Sequence, residues 1–154
     1  MYKVCTCTFS LMPKASFSDW IEREFKRVHL GDRRLTHRLQ QIAADLSRNP
    51  QATIPRASGS WARTKGSHRF FDHPAVSAEA ILAGHQAATL ERMAGQKVVL
   101  LVQDTTSLHY ACQAADSGLG KPGTRGDQAL GLWLHTTLAV AGQGTALGLM
   151  AAQP

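Results

Sequence analysis

A chain of 154 residues is long enough for one domain, or for a small domain and part of a second, and 44% apolar against 18% charged residues excludes wholesale disorder. The net charge of +6 is uneven, with fourteen Lys or Arg against eight Asp or Glu in residues 1–95 and three of each in residues 96–154. No run approaches the ~18 apolar residues of a membrane span, and Cys5, Cys7 and Cys112 show neither a disulfide framework nor metal-ligand spacing, which points away from membrane and secreted proteins and toward a reducing, cytoplasmic compartment.

Residues 1–15 read as a loose leader without the features of a signal peptide. Ser16 with Asp19 has the form of a capping box, and Phe17, Trp20, Ile21, Phe25 and Val28 recur at helical spacing, so a first helix is expected to run to about Leu30 and end at Gly31. Asp32 can cap a second helix with Leu35, Leu39, Ile42 and Leu46 as its apolar stripe. Arg34 and Arg38, four apart, share another face of that helix. Asn49 and Pro50 stop it, and the stretch from Pro50 to Gly59 is expected to be a loop. Trp61 to Phe71 reads as a third helix with Arg63, Lys65 and Arg69 giving it a positive side, and Ser77 opens a fourth that closes at Gly95.

After Gly95 the pattern changes. Val98 to Val102 is an uninterrupted aliphatic run that suits a strand buried on both faces and ending at Gln103 and Asp104. Leu130 to Val140 alternates like a strand, and a turn at Ala141 to Gly144 leads into Thr145 to Ala152, which together predict an antiparallel hairpin. The glycine-bearing stretch between Tyr110 and Ala129 reads as a mobile loop. The chain is therefore expected to be α+β, with a helical module over 16–95 and the opening strands of a second domain over 96–154. Three strands with no helix to cover them cannot bury both faces of Val98 to Val102, so further elements are expected after Pro154.

Two sets of residues could carry chemistry. Between Lys26 and Arg69 ten basic residues face only Asp32 and Asp45, a density that suits a polyanion, double-stranded DNA first among them. Within it Arg34 and Arg38 can reach a phosphate backbone together, and Arg33, Arg63, Lys65 and Arg69 extend the candidate surface. The second is Asp104, an acid at the polar end of an apolar strand and followed by Thr105, Thr106 and Ser107, where a carboxylate suits a hard divalent cation or, equally, caps a turn. Seven scattered histidines, His85, His109 and His135 among them, show no ligand pattern. Trp20, Trp61 and Trp133 have apolar neighbours and are expected to pack inward, stacking on bases being the alternative.

The run Gln103-Asp104-Thr105-Thr106-Ser107-Leu108-His109-Tyr110 resembles the first catalytic-acid motif of the insertion-sequence transposases typified by the Tn-five transposase. Leu30-Gly31-Asp32 with Arg34, Thr36, Arg38 and Leu39 is similar to that family's amino-terminal DNA-binding helix. His68-Arg69-Phe70-Phe71, through Pro74, Val76, Ser77, Ala78, Glu79, Ala80 and Ile81, is similar to a second signature of the family. The three blocks are collinear. The resemblance implies an amino-terminal DNA-binding domain followed by an incomplete RNase H-like core. It implies transposon ends as the DNA, contacted by Arg34, Arg38 and Arg69, in a cytoplasmic, nucleoid-associated protein. It also implies Asp104 as the first of three acids that hold Mg²⁺ or Mn²⁺ for DNA cleavage and strand transfer. Neither Asp116 nor Asp127 matches the motifs of the other two acids, so this chain is expected to bind DNA without cutting it, as a transposase portion that pairs with itself or with full-length enzyme. The alternatives are a stand-alone DNA-binding protein that inhibits transposition, and an unrelated RNase H-like nuclease for which the helical half is incidental.

Overall fold

The computed structural model describes residues 17–110, 118–121 and 130–154; the leader, Ser16, the three cysteines, Asp116, Asp127 and most of the expected loop lie outside them. Five helices, α1 (Phe17–Phe25), α2 (Arg33–Arg48), α3 (Ile54–Ser58), α4 (Trp61–Phe71) and α5 (Ala78–Ala94), precede three strands, β1 (Val99–Tyr110), β2 (Leu130–Ala141) and β3 (Ala146–Gln153). The α+β expectation and the antiparallel hairpin both hold.

Local chemistry sets the helix starts. Asp32, Ser60 and Ser77 each accept a bond from a backbone N–H in the first turn of the helix that follows, Arg34 N at 2.8 Å, Arg63 N at 3.4 Å and Ala80 N at 3.1 Å. These bonds satisfy donors that have no partner inside the helix. Helix α1 is shorter than its apolar spacing predicts, ending at Phe25 in a turn closed by Val28 N to Phe25 O. Val28 and Leu30 would stand about 200° apart on a continued helix. Leaving the helix lets both become buried in one core. The expected loop over 50–59 contains α3, because Pro55 in its first turn lacks only an N–H that would have had no helical partner, and Gly59 ends it with φ +67°.

That core gathers Val28, Leu30, Leu39, Ile42 and Phe70, with Phe25, Leu35, Leu46, Val76, Ala80 and Ile81 around it. Phe70 is 2% exposed. A second, smaller core joins α5 to the sheet through Ala139, Ala141 and Leu147, with Met93, Val99 and Met150 beside them. Helix α5 thus belongs to both.

The sheet has the order β1-β2-β3, all antiparallel. Helix α5 covers the face of β2 that carries Thr137, Ala139 and Ala141, where small side chains let the helix come close. The opposite face, with Leu132, Leu134, Leu138 and Val140, is half-buried. Two register shifts put Leu147 and Met150 of β3 outside the ladder. The backbone at these bulges is satisfied by α5: Arg92 Nε donates to Leu147 O, Gln86 Nε2 donates to Met150 O at 2.7 Å, and Leu149 N donates to His85 Nε2 at 2.8 Å. Gly148, at φ +149°, lies so close to the helix that a Cβ there would collide with Thr89 Oγ1.

Two expectations for β1 fail. The strand does not end at Asp104 but runs on to Tyr110, and Val98, Leu100, Leu101 and Val102 are each half or more exposed instead of buried on both faces. The two errors share a cause. β1 lies at an edge of the sheet, and beyond Val99, which packs beside the second core, its residues alternate across two largely open faces, so polar residues need not interrupt it. The tryptophans also depart from expectation: Trp20 and Trp133 are 36% and 52% exposed, and Trp61 is 79% exposed.

Candidate nucleic-acid interface

Helices α2 and α4 lie side by side, and the cleft between their outer faces is a groove of about 500 Å³ lined by Arg34, Arg38, Lys65, Arg69 and His73, with Asp32 as its one acid. Arg34 and Arg38 are one turn apart on α2, and Lys65 and Arg69 one turn apart on α4, so each helix presents two cations along one side. The Arg38 guanidinium lies over Gly66. A Cβ on Gly66 would stand 3.0 Å from both Arg38 Cζ and Nη1, so the missing side chain is what seats that guanidinium between the helices.

What holds the helices at this spacing is a buried acid. Asp45 of α2 has a side chain only 8% exposed and pairs with Arg63 of α4 at 2.6 Å and with Arg48 at 3.2 Å. Arg63 is therefore a brace and does not line the groove. Its distance from Lys65 along the chain, two residues or about 200° of helix, already separates the two faces. Arg33, one residue before Arg34, is exposed on α2 outside the groove.

The charges in the groove are unequal in their partners. Arg34 donates to both carboxylate oxygens of Asp32, at 3.4 and 3.0 Å from Nε, and at 2.9 Å from Nη2. Those side-chain bonds, the backbone N–H of Arg34 and its positive charge hold the Asp32 carboxyl below its ordinary range, and the same bonds and charge raise Arg34. Among the described residues no acid pairs with Arg38, Lys65 or Arg69. Three unpaired cations on facing helices repel one another in the free protein, and an approaching polyanion relieves that repulsion.

The comparison with known families falls on this same segment. Residues 17–76 match the transposase DNA-binding family. The match supports a transposase amino-terminal domain spanning α1 to α4, with DNA as its partner, and every residue of the groove lies inside it. Of the six basic residues singled out in the sequence, the matched segment brings Arg34, Arg38, Lys65 and Arg69 together and leaves Arg33 and Arg63 apart. Sequence reasoning missed His73, which lies two residues past the end of α4 and lines the groove, and Gly66. Only a small residue in mid-helix between basic positions hinted at the latter.

Asp104 lies outside this segment, in the middle of β1 opposite Thr136, exposed, with Thr106 Oγ1 donating to its Oδ2 at 3.0 Å. Its neighbours on that face, Val102 and Thr106, bring no second carboxylate. Among the described residues no group of three His, Cys, Asp or Glu side chains could hold a metal ion. A divalent cation of the magnesium class takes about six oxygen ligands. Phosphoryl transfer on paired metal ions draws on several converging carboxylates, and among the described residues Asp104 is the one acid of the sheet. No described helix is long and apolar enough to cross a membrane.

Proposed function

We propose that this chain binds the ends of a transposable DNA element through the groove between α2 and α4, as the amino-terminal portion of a transposase. The observation that carries the reading is the convergence of Arg34, Arg38, Lys65 and Arg69 from two helices on one groove inside the family-matched segment. Arg38, Lys65 and Arg69 are the unpaired cations and supply most of the phosphate contact; Arg34, shared with Asp32, is the weaker contributor. In the same reading the antiparallel sheet is the opening of an RNase H-like core, and Asp104 is one of several carboxylates that a complete site would need for DNA cleavage and strand transfer. The described residues by themselves support binding alone.

Four phosphate contacts imply that the logarithm of affinity falls with the logarithm of salt concentration at a slope of roughly −3 to −4. Titration of a fluorescent duplex with the full chain should therefore lose about a hundred-fold in affinity when salt is raised four-fold. The double substitution Arg38→Ala, Arg69→Ala should flatten the slope by about two. Binding that survives that double change undiminished would remove the groove from the interface.

A further inference from the structure

Among the large apolar residues of the helical half, Trp61 stands apart. It opens α4, is 79% exposed, and among the described residues no ring contact or hydrogen bond of its indole is seen, whereas Phe70 on the same helix is buried and Phe71 packs edge-on against it at 5.5 Å between ring centroids. Trp61, Lys65 and Arg69 follow one another at intervals of four, so the indole continues the positive side of α4 at its amino-terminal end. On its other flank Trp61 lines a hollow of about 540 Å³ between α3 and α4 with Arg56, Thr64 and His68, and no acid lines that hollow.

We infer that Trp61 is a DNA-contacting residue, its indole lying against a base or deoxyribose where the duplex runs past the start of α4. Two features of the surface select nucleic acid over a protein partner. The indole borders a hollow that holds Arg56 and no acid, and along α4 it is followed by Lys65 and Arg69 of the groove assigned to DNA, whose one acid, Asp32, is already paired with Arg34. A ring in that position adds apolar contact with deoxyribose or a base edge to an interface otherwise made of charges, a contact that does not depend on ionic strength. This inference rests on the DNA-binding reading and adds a part of the affinity that salt does not remove.

The test compares the salt dependence of duplex binding by the full chain and by W61A. Removing the indole should weaken binding about ten-fold at every salt concentration while leaving the slope unchanged, and W61F should recover most of the loss. In a chain with W20F and W133F, the emission of the remaining Trp61 should change on saturation with DNA. Affinity of W61A within two-fold of the parent, a slope reduced by about one, or unaltered Trp61 emission would each overturn the inference while leaving the groove intact. Absence of salt-dependent binding by the unsubstituted chain would instead overturn the DNA-binding reading, and this inference with it. Because Trp61 faces solvent, helical circular dichroism of W61A should match the parent.

Discussion

The helical half and the sheet are built to different degrees of closure. Around Phe70, residues from α2 and α4, from the turns after α1 and α4, and from the start of α5 enclose a core whose central side chains are all but shielded from water. The sheet has one helix on one face, small residues beneath it, and an edge strand whose leucines and valines stand in solvent. Stability therefore resides in the half that presents the groove, and the half that carries Asp104 depends on α5 for its position.

The sharpest test of that contrast is Phe70→Ala. Truncating a fully buried phenylalanine should cost about 3–5 kcal/mol, read as a fall in the urea midpoint by helical circular dichroism, and DNA binding should be lost with the fold. If the loss were under 1 kcal/mol, the helical core would not be the source of stability.

Next in size is the junction between the halves. Glu24 of α1 is paired with His85 and, at 2.7 Å, with Arg92, both on α5, and these two residues also hold the β3 backbone. Burial pushes the Glu24 carboxyl up, but the hydrogen bonds from His85 and Arg92, with the positive charge of Arg92, outweigh it and hold it at about 2, down from an ordinary 4.5. A depressed carboxyl contributes stability that is fully present above pH 4.5 and is lost as pH falls toward 2. Glu24→Gln should cost about 2 kcal/mol at neutral pH, and the difference from the parent should shrink through that acid window. A difference that stayed constant from pH 6 to pH 2 would show that the charge of Glu24 is not what matters.

A smaller effect of opposite sign is expected at Gly66. Replacing a mid-helix glycine by alanine favours the helix by about 0.5–1 kcal/mol. The new methyl must displace the Arg38 guanidinium, so Gly66→Ala should melt higher and bind DNA a few-fold more weakly. Unchanged affinity would mean that Arg38 need not be seated there. The smallest effect belongs to the sheet: Leu101→Ser, on an exposed edge, should change stability by less than about 0.5 kcal/mol, and a loss comparable to that at Phe70 would mean that this surface is covered.

The helical half was largely legible in the sequence because its signals are local. Asp32 and Ser77 mark helix starts, and the stripe of Leu35, Leu39, Ile42 and Leu46 marks the inner face of α2. Arg34 and Arg38 declare their face by a spacing of four. What was not legible depends on tertiary neighbours. Nothing near Arg63 in the chain reveals that Asp45, eighteen residues earlier, captures it. The aliphatic run Val98 to Val102 has the composition of a buried strand, and only the position of α5 decides that β1 lies outside its cover. Trp61 was misread for the same reason, since apolar neighbours in sequence point around a helix in several directions and not all of them meet another element.

The two margins of the sheet are unequal in what they offer. On β3 the main-chain groups released by the bulges at Leu147 and Met150 are already occupied by Arg92, Gln86 and His85. The twelve residues of β1 are bonded, among the described residues, on their β2 side alone. Any additional strand, from whatever source, would therefore find its template along β1, beside the carboxylate of Asp104.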